Sequence, residues 1–405
     1  MRNLVCALAM FLTFASAPAS GQDAIAVTGE LVYTMAGAPI QNGVVLIRNG
    51  KIERVGPASS VPVPAGVRVI NAKVVTPGLI DAHTVVGLAG YLNQAHDQDQ
   101  IERTDALQPE LRALDAYNPR EELVAWLRGF GVTTLHTGHA PAALISGQTM
   151  IVKTRGETVD EATLVPQAMI AVTIGEDSLG ENNKSPGTRP KEIAMLRAEL
   201  IKAQEYNRKT SGGADNKPSR DLGLEMLARV LRKEMPLLVT ANRSRDILAA
   251  LRVAKEFDIP IVLDGAAEAY LVIPQIREAG IPVIVHATMA RSYGDRENLS
   301  FETASILRKA GIPVALQSGF ESYVPKTRVV LFEAALAAAH GLSQEEALAT
   351  ITIDAARILK IADRVGSLET GKDADLALFD GDPFEYTSHV THVLIDGKVV
   401  SDEVR

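Results

Sequence analysis

Val75-Thr76-Pro77-Gly78-Leu79-Ile80-Asp81-Ala82-His83-Thr84-Val85-Val86-Gly87 is where a β-rich segment hands over to a long alternation of strand-like and helix-like stretches. Upstream, from 24 to 75, short apolar runs alternate with turn signals. The strongest of these is Asn49-Gly50 between two β-patterned runs, 44–48 and 51–55. A two-residue type I′ hairpin turn needs positive φ at both central positions, which Asn-Gly supplies. The far end of the chain repeats the pattern: 366–380 and 392–400 read as strands, with a second hairpin turn at Asp396-Gly397.

Between these ends, apolar runs alternate with amphipathic stretches. Helices are expected over 118–129, 189–209, 243–257, 267–279, 300–310, 327–340 and 343–359. Strands are expected over 131–136, 168–174, 236–240, 259–264, 281–286 and 312–318. Repeated strand–helix units argue for parallel strands joined by crossover helices, and at this length a (β/α)8 TIM-like barrel is the natural solution. A doubly wound open sheet is the alternative, but no G-x-G-x-x-G follows the first strand and no phosphate-binding P-loop sequence occurs. Ser211 to Ser219, rich in Gly and polar residues, reads as a surface loop.

The chain resembles the amidohydrolase superfamily, in particular its exported imidazolonepropionase-like group. The resemblance rests on Pro77-Gly78-Leu79-Ile80-Asp81-Ala82-His83, on Gly131-Val132-Thr133-Thr134, on the 236–239 strand and on the closing Gly371-Lys372-Asp373-Ala374-Asp375-Leu376. It implies a discontinuous β-sandwich built from 22–76 plus 366–405, beside a barrel spanning 77–365. It also implies hydrolysis of a non-peptide carbon–nitrogen bond, in a cyclic amide among other substrates, with one or two divalent ions such as zinc. In the family such an ion activates water and polarises the scissile carbonyl, while an aspartate moves the proton.

Carried over position by position, the family's ligand pattern is largely absent. The second histidine of the first-strand H-x-H is Val85; the histidines ending the fifth and sixth strands are Thr240 and Gly265; the aspartate ending the eighth is Gly319. Lys153 lies in a separate strand-like run and reads as structural. Only His83 remains. Other strand-end residues offer a relocated site, with His83, His136, His139 and His286 as metal ligands and Asp264, Asp97 and Asp99 supplying carboxylates. The alternative is that His83 only hydrogen-bonds strand ends, that His136 and His139 satisfy a loop backbone, and that Asp97 and Asp99 are solvated. Two functions follow: a hydrolase with an atypical or depleted metal site, or an inactive barrel that binds a small molecule or a protein partner. In the second case no cofactor is needed. A sugar-processing barrel with two carboxylates lacks a partner for Asp264.

Composition narrows the partners. The 405 residues carry 41 Lys and Arg against 49 Asp and Glu, a formal net charge of −8, with no basic stripe, so nucleic acid is not expected. The first 21 residues read as a signal peptide: Arg2, an apolar stretch from 4 to 14, and an A-x-A pattern at Ala17-Pro18-Ala19. That stretch is shorter than the roughly 20 residues a bilayer span needs. The mature chain is therefore expected to be exported to the periplasm with no membrane span. Its single cysteine, Cys6, leaves with the signal, which removes disulfides and thiolate chemistry. A small-molecule substrate or ligand is the expected partner, and a homo-oligomer is compatible with the sequence.

Overall fold

Pro77 and Gly78 join two different sheets without a loop. In the computed structural model, which describes residues 24–92, 94–180, 184–211, 218–321 and 329–405, the strand ending at Pro77 is followed at Leu79 by the first strand of the inner α/β region. Gly78 is required there because a Cβ would lie 2.1 Å from Thr133 Oγ1. The expected signal peptide and most of the 211–219 loop lie outside the described residues.

The strands are β1 (Ala24–Val32), β2 (Ile40–Arg48), β3 (Lys51–Pro57), β4 (Arg68–Pro77), β5 (Leu79–Thr84), β6 (Val132–Thr137), β7 (Ile145–Gln148), β8 (Met150–Lys153), β9 (Thr163–Val165), β10 (Ile170–Thr173), β11 (Leu237–Thr240), β12 (Ile261–Gly265), β13 (Val283–Val285), β14 (Val314–Leu316), β15 (Leu376–Phe379), β16 (Val390–Ile395) and β17 (Lys398–Ser401). Both chain ends share one seven-stranded sheet, ordered β17-β16-β15-β4-β1-β2-β3. Both expected hairpin turns form: Asn49 and Gly50 have φ of 53° and 77°, Asp396 and Gly397 of 48° and 70°. The turns stack on each other, a Cβ on Gly397 falling 3.2 Å from Gly50 Cα.

The inner region is a mixed α/β fold. Strands β10 to β14 run parallel in one sheet and β5 pairs in parallel with β6 in another. Two links connect these sheets. Gly319 N–H donates to His83 O at 3.2 Å, and the nearly continuous β7–β8 segment pairs antiparallel with β10 through β7 and with β6 through β8. One strand position thus runs opposite to an all-parallel expectation.

The helix expected over 118–129 begins only at Glu122 and that over 300–310 spans Thr303–Lys309, and two others depart further. The stretch expected as 267–279 is helical only at Ile273–Ala279, because Ala266 has a positive φ and the Glu268 side chain is engaged by Ser244 N–H, Arg243 and Asn298. The stretch 343–359 breaks into Gln344–Thr350 and Ile353–Ile358. There the Thr350 and Thr352 hydroxyls donate back to Ala347 O and Leu348 O, a competition that disfavours an unbroken helix.

Strand alternation positions the site. Leu237, Val239, Ile261, Leu263, Val314 and Leu316 belong to the large core shared with the surrounding helices. Their neighbours Leu238, Val262, Ile284 and Ala315 form a second, inner cluster with Ile80, Ala82 and Ile151, plugged by Ala355, Ala356 and Ile358. One pleat further toward the carboxyl ends, the same face carries Thr240, Asp264, His286 and Gln317. A polar layer therefore sits directly above an apolar one.

Lys153 ties the end sheet to β8. Its buried ammonium donates to Asp373 at 2.8 Å, Asp375 at 3.1 Å and Asp396 at 2.5 Å, which agrees with a structural role. Burial alone would raise the Asp373 carboxyl, but donors from Lys153 and Lys51 hold it at about 2. Removing one partner of such a cluster leaves buried charge uncompensated. Lys153→Met should lower unfolding free energy by about 3–5 kcal/mol, read from urea denaturation; a loss below about 1 kcal/mol would show that the cluster does not hold the sheets together.

Candidate active site

Asp264, at the end of β12, accepts three side-chain hydrogen bonds from three other strand ends. His83 Nδ1–H donates to Oδ1 at 2.9 Å, Gln317 Nε2 to the same oxygen at 2.9 Å, and Thr240 Oγ1 to Oδ2 at 2.6 Å. All four side chains are buried. Burial would raise the Asp264 carboxyl, yet His83 and the two neutral donors lower it below the ordinary carboxylate range. Burial likewise opposes charge on His83, and the Asp264 carboxylate outweighs it, so the imidazole is raised. Each shift favours the charged form of its group. Behind it, Asp81 accepts from Ser318 N–H at 3.0 Å and His83 N–H at 3.3 Å, and burial pushes its carboxyl up to about 6.

This floor opens into a cavity of about 320 Å³. Its walls include Asn242 beyond β11, Gly265 as the last residue of β12, Glu176 and Asp177, Arg103 from the first long loop, and Tyr293, Asp295 and Arg296 from the loop after β13. Asp295 joins the walls: it accepts from Glu176 N–H at 2.5 Å and from Arg189 at 3.1 Å, and Arg189 also pairs with Asp246 at 2.9 Å. Arg296 is oriented by a 2.7 Å bond to Tyr293 Oη.

The sequence candidates scatter around this cavity. His83, Asp264 and His286 line it; His136, His139, Asp97 and Asp99 do not. The His136 ring centroid is 5.7 Å from that of His83, but its Nδ1–H donates to Ala82 O at 2.6 Å and its Nε2 accepts from Thr149 Oγ1 at 2.7 Å. Burial holds it neutral, with a pKa of about 3. His286 donates from Nδ1 to Ala287 O at 2.8 Å and its Nε2 faces Thr303 Oγ1 at 3.4 Å. His139 is buried, with neither ring nitrogen partnered among the described residues, and packs against Gly147. Asp97 accepts from Gln94 N–H, Leu92 N–H and Gln98 within its own turn, and Asp99 is exposed.

Members of the amidohydrolase family typically use a divalent metal. Among the described residues no group of three or more His, Cys, Asp or Glu side chains is arranged to hold a metal ion. Of the imidazoles expected to ligate, His136 and His286 spend both nitrogens on protein groups, His139 lies away from the cavity lining, His83 has only Nε2 left, and both oxygens of Asp264 are engaged. The donors present do not fit the family's centre. Sequence reasoning missed Gln317, Asn242, Arg103 and Arg296. The first two were accessible by extending the inward parity Leu238-Thr240-Asn242 and Ala315-Gln317; the two arginines sit on long loops with no pattern to mark them.

The sign of the pair's titration is testable. A raised His83 stabilises the fold fully below about pH 6.5 and loses that contribution as pH rises through its folded pKa; a lowered Asp264 contributes above about pH 3.9 and loses it as pH falls. In Asp264→Asn burial is no longer outweighed by the partner carboxylate, so the His83 titration should move down from its wild-type position in nitrogen–proton correlation spectra. An unchanged His83 titration would refute the pairing.

Comparison with known proteins agrees with this architecture. The amidohydrolase family model matches residues 321–400. A crystal structure of an amidohydrolase from Thermotoga maritima superposes with a TM-score of 0.88 at 30% identity, covering 94% of this chain and 100% of that one. An imidazolonepropionase from Brucella anthropi is 25% identical over 84% of this chain and 87% of its own length. The amidohydrolase tasK from Hapsidospora irregularis is 25% identical over 89% of this chain, which spans only 40% of the tasK length. Among the described residues no helix is long and apolar enough to cross a membrane. With the strand-end histidine, the shared end sheet and these relatives together, the chain belongs to the amidohydrolase superfamily and is imidazolonepropionase-like.

Proposed function

We propose that this protein hydrolyses a non-peptide carbon–nitrogen bond in a small cyclic amide, using an atypical centre built on His83 and Asp264. The observation that carries the reading is His83 Nε2, which has no partner among the described residues and belongs to a ring whose other nitrogen is fixed by a buried carboxylate. Such a ring donates from Nε2 to the amide carbonyl as negative charge develops there and then supplies its proton to the departing nitrogen. Asp264 orients the ring and stabilises its cationic form, Thr240 and Gln317 hold Asp264, and a wall carboxylate, Glu176 or Asp177, takes the proton of the attacking water.

In this proposal the two inner sheets are the (β/α)8 barrel of residues 77–365, and the end sheet is the composite β-domain of 22–76 plus 366–405. The chain is exported to the periplasm after loss of residues 1–21, its partner is a small molecule, and self-association is compatible with it. A second reading is supported by the ligand positions occupied by Val85, Thr240, Gly265 and Gly319: an inactive relative that binds the same class of molecule without turning it over.

An assay panel of lactams, hydantoins, cyclic imides and N-acyl amino acids, run with chelator and with added Zn, Mn or Co, separates the two. Turnover by the wild type that falls at least about 100-fold in His83→Ala and in Asp264→Asn, with the fold retained by circular dichroism, is the expected outcome. Turnover that survives both substitutions refutes the assigned centre. Saturable binding with no turnover under any condition supports the second reading.

A further inference from the structure

Two polar atoms at the cavity lack a partner among the described residues: Nε2 of His83 and Oδ1 of Asn242. Both side chains are more than nine-tenths buried, with exposures of 4% and 7%, and both line the same cavity. Leaving a buried polar atom unpaired is costly, so orphans of this kind mark a place where something from outside completes the bonding.

The orientation of each atom is set by adjacent residues of β12. Asp264 holds His83 through Nδ1 at 2.9 Å and is itself held by Thr240 and Gln317, which leaves Nε2 as the ring's only free nitrogen. Gly265 makes room for Asn242. It has φ of +72°, and a Cβ there would come within 2.7 Å of Asn242 Oδ1, so a side chain at 265 would displace the amide. Asn242 also follows Thr240 by one strand repeat, and its backbone carbonyl is anchored by Glu268 N–H at 2.8 Å. Where the family pattern leads one to expect histidines at 240 and 265, this chain has a threonine that supports Asp264 and a glycine that admits Asn242.

The two orphans are complementary in kind. A ring paired through Nδ1 to a carboxylate presents an N–H at Nε2, and the Asn242 oxygen accepts. We propose that His83 and Asn242 form a recognition pair for one edge of a small cyclic amide, His83 Nε2–H donating to the ring carbonyl and Asn242 Oδ1 accepting the adjacent ring N–H. A five- or six-membered lactam, imide or hydantoin forces its amide cis, so that C=O and N–H lie side by side on one edge. A linear secondary amide is trans and points the two groups in opposite directions. The pair therefore selects rings over open chains by geometry. It deepens the proposed function by naming the group that is recognised, and it rests on that reading only for the use of this cavity.

The test is binding by the full chain, measured by titration calorimetry and ligand-observed NMR, with 2-pyrrolidinone, succinimide and hydantoin set against 1-methyl-2-pyrrolidinone and N-methylsuccinimide. The wild type should bind the N–H rings at least about tenfold more tightly than their N-methyl counterparts. Asn242→Ala should abolish that discrimination, Asn242→Asp, which keeps an accepting oxygen, should preserve it, and the His83 nitrogen spectrum should report an intact Asp264 pair in both. Binding of none of the rings by the wild type, equal binding of N–H and N-methyl rings, or full discrimination in Asn242→Ala would each overturn the proposal. Discrimination without hydrolysis would leave the recognition pair standing while removing the hydrolase, so the two failures are distinguishable.

Discussion

A single buried carboxylate organises the mouth of this protein. Asp264 is isolated from water and would be unfavourable as an anion, yet it receives hydrogen bonds from the first strand through His83, from β11 through Thr240 and from beyond β14 through Gln317. The carboxylate thereby links β12 to its neighbour β11 and to β5 and the end of β14, with which β12 does not pair. In this chain the His83 imidazole and two neutral donors surround the carboxylate. The group that this arrangement leaves at the cavity is His83 Nε2.

The same logic recurs with the sign reversed at the junction of the sheets. Lys153 is a buried cation satisfied by Asp373, Asp375 and Asp396, carboxylates supplied by the closing segment and the last hairpin turn. Gly78 permits the close passage of β4 into β5 at this boundary. The floor of the cavity thus rests on an apolar plug, and the ion cluster joins the end sheet to the inner strands near the start of β5 and β6.

Much of this was legible in the primary structure, and the reasons are local. Asn49-Gly50 and Asp396-Gly397 specify hairpins by their own backbone preferences, and the alternation of periods 2 and 3.6 marks the order of strands and helices. Where local signals compete, legibility fails. The helix expected over 267–279 shortens because Glu268 is engaged by residues from two other segments, and β7–β8 runs against its neighbours, a choice that no residue within 145–153 announces.

The site divides along the same line. The sequence by itself determined the family, the placing of His83 at a strand end and the loss of the standard ligands at Val85, Thr240, Gly265 and Gly319, since these depend only on which residue stands at which position of a motif. Only the tertiary structure decided which nitrogens remain free. His136 and His83 look equivalent in the chain, but His136 is closed by Ala82 O and Thr149, whereas His83 meets a carboxylate 181 positions away and keeps one nitrogen for the cavity. Hydrogen-bonding capacity is consumed by partners remote in sequence, and that allocation exists only once the strands have assembled.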